Sequence, residues 1–292
     1  MNKLRKLLLA LFTALCSAMP AFAAEPAAVL RQKLDTLADA LAHSPLGQPI
    51  VVDSNESGKR VSGDAYALID QPFATLAQSM KRPSQWCEVM ILVINVRHCE
   101  ADEAGPRGEL ALNIARKPDQ AIEDTQRIVF SHRMEADVPG YVSVAMTADK
   151  GPMGTSDYRI NLQAIPADAH RSFIHLHYAY ADSTMSQMLM QTYLSTVGRD
   201  KVGFSVVDRG PNGEPVLVKG VRGAIERTTM RYYLAIAAYL HSLSAPPQLR
   251  LERRLRAWFG AAERYPKQLH EMTESEYLTL KRQSVQTAQA GS

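Results

Sequence analysis

The sequence predicts an α+β fold in which an antiparallel sheet packs against a long helix near the C-terminus. The first observation is a run of segments rich in β-branched and aromatic residues, separated by turn residues: 110–116, 126–134, 141–148, 158–165 and 172–180. The second is a long amphipathic helix at 224–242, which follows these strands and ends before Pro246-Pro247. Strands in succession followed by a covering helix are typical of the α+β class.

The third observation is the alternation of apolar and polar residues within three of these strands. One face carries the apolar residues, and the opposite face of 172–180 carries His175 and His177. A period of two with one apolar face predicts an antiparallel sheet covered on one side. The apolar residues are Val142, Val144 and Met146, then Tyr158, Ile160 and Leu162, then Ile174, Leu176, Tyr178 and Tyr180.

Shorter elements precede and follow this sheet. We expect an amphipathic helix at 26–42, short strands at 50–52 and 63–69, and a helix at 73–80 that begins after Pro72. A second short helix contains Trp86. After the sheet, the pattern predicts a Met-rich helix at 184–196 and a hairpin formed by 201–207 and 215–218.

The net charge depends on the first 23 residues. Lys3, Arg5 and Lys6 precede an apolar run that ends at Ala21-Phe22-Ala23, a pattern typical of a cleaved signal peptide. The whole chain carries 33 basic and 30 acidic residues, so cleavage leaves equal numbers of each. We therefore expect an exported, periplasmic protein, with secretion as the alternative. Cys16 raises a lipoprotein alternative, but Leu15 is bulky where that processing requires a small residue.

A neutral mature chain excludes partners that depend on bulk charge. It lacks the positive field that gathers nucleic acid, and the apolar run of the leader is shorter than the roughly 20 residues that span a bilayer. We divide the chain into a signal peptide at 1–23, one domain at 24–246 and a helical C-terminal tail at 247–292.

Two cysteines remain after cleavage, Cys87 and Cys99, and an even pair in an oxidising compartment favours a disulfide. Bridged Cα atoms lie within about 7 Å, whereas one continuous strand would separate these residues by roughly 40 Å. A bridge therefore requires a sharp turn between the Trp86 helix and a strand near 93–97. Two separate buried thiols are the alternative.

The order of elements resembles the helix-grip fold of the START and SRPBCC-like superfamily. The residues that carry the resemblance are 63–70 with Pro72-Phe73, Trp86, 158–160, 173–180, 223–227 and 230–236. The resemblance implies a curved antiparallel sheet wrapped around the long C-terminal helix, with the tail as an appendage. It also implies an apolar cavity that holds a lipid, sterol or polyketide.

A cavity between the sheet and the long helix would be lined by large apolar side chains with a few polar tips. A filled core of the same residues is the alternative. The candidate lining residues are Trp86, Val144, Met146, Tyr158, Ile160, Leu162, Leu176, Tyr178, Tyr180, Met188, Tyr232, Ile236 and Tyr239.

Other chemistry has weaker support. His175 and His177 have the spacing of a metal pair on a strand, but a third ligand is needed. His170 lies beyond a turn, His132 lies in another strand, and we expect no carboxylate in ligand register nearby. We therefore favour a solvated outer surface for this pair. The sequence contains no G-x-S-x-G turn and no glycine-rich phosphate loop, so we assign no catalytic residue and expect no cofactor.

Two helices remain open to several interpretations. The Met-rich helix suits either a lid over a lipid entrance or core packing. In the tail, Arg250, Arg253, Arg254 and Trp258 could make a peripheral membrane contact, although a docked helix with a solvated Arg face is favoured.

Three functions are compatible with these patterns. The first is an exported protein that binds a hydrophobic, lipid-like ligand, with lipid transfer as a possible further role. The second is an enzyme on the same fold that uses pocket polar groups such as Tyr178 or Arg159, or a His175/His177 metal site, and the third is an envelope interaction protein without a ligand.

Overall fold

The architecture is built on one eight-stranded antiparallel sheet. The structure, a computed structural model, describes residues 21–103, 108–117, 120–196 and 198–290. The strand order is β1-β2-β8-β7-β6-β5-β4-β3, so the predicted antiparallel sheet is confirmed. The strands are β1 (Ile50–Ser57), β2 (Arg60–Ile69), β3 (Val96–Asp102), β4 (Gly108–Ile114), β5 (Gln126–Val138), β6 (Tyr141–Lys150), β7 (Ser156–Pro166) and β8 (Ser172–Ala181).

The N-terminal strands are longer than the sequence pattern indicates. The predicted segments at 50–52 and 63–69 are parts of a regular hairpin that pairs Ile50 with Ala67 and Ser57 with Arg60. Polar residues fill the extra strand length because this end of the hairpin is exposed. β2 then pairs with β8, which brings the first hairpin beside the last strand of the sheet.

The long helix α5 (Gly220–Ser242) packs on the inner face of the sheet against β1, β2 and β8. Inner-face residues of all eight strands join α5 in one apolar core. This arrangement of a sheet around a C-terminal helix is the predicted helix-grip architecture of the α+β class. The helix begins four residues earlier than predicted, at Gly220, so Gly223 lies inside it.

Helix α1 (Ala21–Ala42) covers part of the outer face, which the sequence pattern left open to solvent. Its apolar side packs through Leu30 and Leu41 against Tyr141, Ile165 and Phe173. The sheet is therefore covered on both sides in this region, because its outer face also carries apolar side chains. Residues 1–20 of the predicted signal peptide lie outside the described residues.

Two short helices, α2 (Phe73–Gln78) and α3 (Pro83–Met90), follow β2, and α3 contains Cys87 of the disulfide. Pro83 begins α3, and the Gln85 side chain accepts a hydrogen bond from the Arg82 backbone N–H. A tight turn follows α3, and β3 begins at Val96, slightly later than predicted. Cys87 and Cys99 are bridged with their Cα atoms 5.4 Å apart, so the predicted disulfide is confirmed.

A helix and a small hairpin connect β8 to α5. Helix α4 (Thr184–Ser195) begins at the predicted place, where the Ser183 hydroxyl accepts a hydrogen bond from the Ser186 backbone N–H. The hairpin comprises β9 (Val206–Arg209) and β10 (Pro215–Leu217). Its regular strands are shorter than predicted, although the backbones of Gly203 and Ser205 still hydrogen-bond to Val218.

The C-terminal segment is helical, as expected, and side chains of its helices pack into the main core. It contains α6 (Pro247–Ala262), α7 (Pro266–Leu269) and α8 (Glu274–Ala290). Trp258 and Tyr277 are fully buried and stack with their ring centroids 5.0 Å apart. Lys281 is also fully buried, and its Nζ donates to the carbonyl oxygens of Val93 and Ile94 in the turn after α3 and of Val96 at the start of β3.

Candidate functional site

Four tyrosines form a cluster between the sheet and α5. Tyr158 of β7 and Tyr178 and Tyr180 of β8 point to the inner face, and Tyr232 of α5 faces them. The centroids of the Tyr158 and Tyr180 rings are 5.5 Å apart, and those of Tyr178 and Tyr232 are 5.3 Å apart. All four residues were predicted from sequence as candidate lining residues, and the structure brings them together.

Small residues beside the cluster keep the inner face open enough for these rings. Gly63 of β2 is the strand partner of Tyr178, and Ala148 of β6 is the partner of Tyr158. Across Ala148, the ring of Phe130 meets Tyr158 edge-on at 6.1 Å. The strand pairing therefore places aromatic rings next to positions with little or no side chain.

The hydroxyl groups of this tyrosine cluster differ in their partners. The Tyr158 hydroxyl lies 2.7 Å from Thr155 Oγ1. Within the part of the chain that the structure describes, no group hydrogen-bonds to the hydroxyls of Tyr178, Tyr180 and Tyr232. These residues are 7%, 8% and 8% exposed, and their hydroxyls are not among the fully buried unpaired atoms, so water can reach them.

Burial keeps the cluster in its neutral form. It raises the pKa of Tyr158 and raises the pKa of Tyr178, Tyr180 and Tyr232 still further, with smaller contributions from neighbouring groups. Each hydroxyl therefore retains its proton near neutral pH and can donate one hydrogen bond as well as accept one. The cluster combines apolar ring faces with three unpaired polar tips, which is typical of a site for a mostly hydrophobic molecule.

Most other predicted lining residues are closely packed in the core. Seven of them are at most 1% exposed, less than the cluster tyrosines Tyr178, Tyr180 and Tyr232: Trp86, Val144, Met146, Ile160, Leu162, Leu176 and Ile236. Tyr239 lies farther along α5, where the Arg254 guanidinium stands 5.2 Å from its ring centre. A filled core therefore accounts for the seven, whereas the Tyr239 hydroxyl, like those of Tyr178, Tyr180 and Tyr232, has no hydrogen-bond partner among the described residues.

Met188 was predicted to line the cavity, but it lies on the protein surface. It is 65% exposed on α4, as is Met185 beside it. Both methionines lie on one side of the helix, as their spacing predicts, but this side of α4 is exposed and faces away from the sheet. The buried residue of this helix is Ser186.

Two surface pockets lie away from the tyrosine cluster. One, of about 580 Å³, is lined by 70–72 and 168–171. The other, of about 710 Å³, lies between α5 and α6 and includes Tyr233, His241 and Arg264. Both are open to solvent, and neither was predicted from the sequence.

His175 and His177 lie on the outer face of the sheet, as predicted, but they do have a carboxylate partner. Asp64 of β2 stands directly opposite His177, and its Oδ1 lies 2.7 Å from His175 Nε2 and 2.8 Å from His177 Nδ1. The expectation that no carboxylate was in register was therefore wrong. Although burial opposes ionisation, the hydrogen bonds to the two histidines hold the pKa of Asp64 well below its usual range.

His132 is not a third ligand for this pair, because it lies on the inner face. It shares a cross-strand row with Met146, Ile160 and Tyr178. Its Nε2 is buried without a hydrogen-bond partner among the described residues, and burial lowers its pKa.

The tail helix α6 does not present the predicted membrane contact. Trp258 is fully buried and donates from its indole nitrogen to the Arg231 carbonyl oxygen. Arg254 is 5% exposed and its guanidinium pairs with Glu88 at 2.7 Å. Arg250 binds the Ala245 carbonyl oxygen and Arg253 contacts His241. Across the described ranges, no helix has the length and apolar character needed to cross a bilayer.

Comparisons with known proteins rest on three-dimensional structure, because no family model and no curated protein matches the sequence. The chain is similar to human StAR-related lipid transfer protein 5, with a TM-score of 0.35, 9% identity, and coverage of 61% of this chain and 91% of that chain. It is also similar to the aromatase/cyclase Zhui from Streptomyces sp. R1128, with a TM-score of 0.31, 11% identity, and coverage of 70% and 94%.

A further similar structure is a START superfamily protein from Mycobacterium smegmatis. Its TM-score is 0.30, its identity is 10%, and the match covers 49% of this chain and 93% of that chain.

Proposed function

We propose that the protein binds a hydrophobic, lipid-like molecule at the tyrosine cluster between the sheet and α5. The observation that carries this proposal is the set of unpaired hydroxyls of Tyr178, Tyr180 and Tyr232, which border apolar ring faces yet remain accessible to water. Polar groups in a protein interior are normally hydrogen-bonded. A ligand with an apolar body and one or two hydrogen-bonding groups would satisfy them.

In this proposal, the loop after β6 and helix α4 cover the site. Thr155 binds the Tyr158 hydroxyl, and α4 packs against the 3-10 turn at Pro152–Gly154. Ligand access therefore requires displacement of α4 or of this turn. The exposed Met185, Met188 and Leu189 on α4 form an apolar surface beside the access route.

Removal of single hydroxyls tests the binding proposal. We would purify the mature protein, identify co-purifying molecules by native mass spectrometry, and titrate delipidated protein with NBD-labelled fatty acid and NBD-cholesterol. Because one hydrogen bond contributes about 0.5–1.5 kcal/mol, Tyr178→Phe and Tyr232→Phe should each weaken binding of the accepted probe roughly two- to tenfold.

Tyr239→Phe is the matched control on α5, because this ring packs under Arg254 and is not part of the cluster. It should bind the probe as the unmodified protein does. Absence of both a co-purifying molecule and probe binding would contradict the proposal, as would equal losses in all three variants.

Transfer of the ligand between membranes is a second step of the proposal, supported by the exposed apolar surface of α4. The apolar surface of α4 would contact the acyl chains of a membrane while a lipid-like ligand is exchanged. Met185→Gln with Met188→Gln should slow NBD-lipid transfer between phosphatidylcholine vesicles while leaving binding unchanged. Unchanged transfer would remove α4 from the route.

Export is proposed on the pattern of residues 1–23 and is consistent with the Cys87–Cys99 disulfide, which suits an oxidising compartment. Fractionation of producing cells, with mass measurement of the mature N-terminus, tests it. Cleavage after Ala23 and recovery with periplasmic markers are expected. An intact N-terminus in the cytosolic fraction would contradict it.

A further inference from the structure

Three side chains with metal-ligating atoms meet on the outer face of the sheet, on the opposite side from the tyrosine cluster. His175 Nε2 and His177 Nδ1 both point at Asp64 Oδ1, at 2.7 and 2.8 Å. One ligand atom from each residue lies within 4.8 Å of the other two. Two imidazoles and one carboxylate form a donor set that borderline divalent metals prefer.

The backbone fixes this arrangement. Asp64 and His177 are direct partners in the β2–β8 ladder, and His175 lies two residues earlier on the same face of β8. Both β2 and β8 are interior strands of the sheet, since β1 pairs with β2 and β7 pairs with β8 on their outer sides. The donors are therefore carried by paired strands, and their side chains remain 19–30% exposed, so an ion can reach them from solvent.

Neighbouring side chains orient His175 as they do for metal-bound histidines. Gln163 Oε1 lies 3.3 Å from His175 Nδ1, and Gln163 Nε2 donates to the Tyr141 hydroxyl at 2.7 Å. Because a carbonyl oxygen only accepts, this contact places a proton on Nδ1 and directs Nε2 toward Asp64. Tyr66 stacks on the His175 ring with centroids 4.3 Å apart, which limits rotation of the imidazole. Such outer contacts set the tautomer and orientation of metal-bound histidines.

The charge distribution also favours a cation. Asp53 of β1 is the direct strand partner of Asp64, so two carboxylates stand opposite each other on the outer face. Like charges in directly opposed positions destabilise a sheet. The Arg222 guanidinium lies 4.0 Å from Asp53 Oδ1 and offsets part of this repulsion, and a divalent ion at Asp64 would offset more of it.

We propose that Asp64, His175 and His177 bind one divalent transition-metal ion of the zinc class. Bonds of about 2.0–2.2 Å in a tetrahedron place the ligand atoms about 3.3 Å apart, so the nitrogens need to move about half an ångström from the carboxylate oxygen. Three protein ligands leave a fourth position for water or another small ligand. The oxygen-preferring ions Ca²⁺ and Mg²⁺ match this set poorly, because two of its three donors are imidazoles.

Calorimetric titration of the untagged mature protein with Zn²⁺, after treatment with EDTA and its removal, tests the proposal. One Zn²⁺ per chain is expected. Asp64→Asn and His177→Gln should each weaken binding at least tenfold, and Gln163→Leu, which keeps all three ligands, should weaken it about 10- to 100-fold.

His270→Gln is the matched control, since His270 Nδ1 also contacts a carboxylate, Glu263, at 2.9 Å, but has no second histidine. It should bind Zn²⁺ normally. Circular dichroism checks the fold of every variant, and if a ligand variant fails to fold, the comparison of Gln163→Leu with His270→Gln decides. No stoichiometric binding by the unmodified protein, or equal affinities across the variants, would overturn the proposal and leave a purely hydrogen-bonded cluster.

Discussion

Gly63 of β2 and Thr229 of α5 are in direct contact, because a Cβ atom built on Gly63 would lie 2.3 Å from Thr229 Oγ1. Thr229 is fully buried, and its hydroxyl donates to the Ile225 carbonyl oxygen within the helix. The absence of a side chain at Gly63 therefore sets how closely α5 approaches the sheet. Since Gly63 is the strand partner of Tyr178, the same contact sets the distance between the two sides of the tyrosine cluster.

Gly63→Ala should destabilise the protein by about 1–3 kcal/mol, because the added methyl group overpacks this contact. Urea unfolding followed by circular dichroism measures the change. Gly260→Ala in α6 is the control: no atom lies near its Cβ position, so the better helix propensity should raise stability by up to about 1 kcal/mol. Equal stability of the two variants would show that α5 can move away from Gly63 freely.

Lys281→Met should destabilise the protein by about 2 kcal/mol or more. Lys281 Nζ lies 2.5, 3.2 and 2.7 Å from three carbonyl oxygens, and methionine leaves them without this donor. Arg282→Met is the neighbouring control, since Arg282 pairs with Glu252 at the surface and should contribute at most about 1 kcal/mol. Comparable unfolding free energies for the two variants would contradict the role assigned to Lys281.

Reduction of the Cys87–Cys99 disulfide should lower the free energy of unfolding by about 3 kcal/mol, the chain-entropy value for a loop of this length. Urea unfolding with and without reductant measures the difference. The double variant Cys87→Ala with Cys99→Ala should match the reduced protein and should not respond to reductant. Unchanged stability of the reduced protein would mean that the turn after α3 is already held by its other contacts.

Alkaline pH should destabilise the fold through its buried tyrosines. Burial, with Asp64 and Asp53 nearby, raises the pKa of Tyr66 to about 12, and burial, with Glu88 nearby, raises the pKa of Tyr239 to about 12. In the unfolded chain both ionise near pH 10. Between pH 10 and 12 the unfolded state therefore holds fewer protons than the folded state, so stability decreases as pH rises.

Two measurements check the pH dependence. Unfolding in urea at pH 8, 9, 10 and 10.5 should show a decrease only at the upper end of this range. Absorbance at 295 nm should show that a fraction of the 11 tyrosines resists ionisation until the protein unfolds. Complete titration near pH 10 in the folded protein would contradict the assignment.

The main architecture could be predicted because it depends on local patterns. Alternation in 141–148, 158–165 and 172–180 defines an inner face whatever the strand order, and a helix of this length must cover an apolar face. The disulfide could be predicted because two cysteines in a chain that is expected to be exported have few alternatives. These features need no knowledge of which distant segments become neighbours.

The remaining features depend on pairing between distant segments. Asp64 and His177 are 113 residues apart in sequence, and only the β2–β8 register places them opposite each other. Lys281 looks like a solvated residue on a helix, because nothing in the sequence shows that the turn after α3 and the start of β3 offer three carbonyl oxygens. The spacing of Met185 and Met188 predicts a stripe on α4 but does not show that this stripe faces outward.

The β2–β8 ladder joins residues 60–69 to residues 172–181, so it closes a loop of more than 100 residues. Such a closure is entropically demanding and slows folding, as expected for a fold of high contact order. During synthesis the β1–β2 hairpin emerges long before its partner strand exists, and its open edge cannot be paired until β8 has left the ribosome. The chain therefore completes its sheet only late in synthesis, and the export proposed above would require this late completion, since a translocation channel accepts unfolded chain.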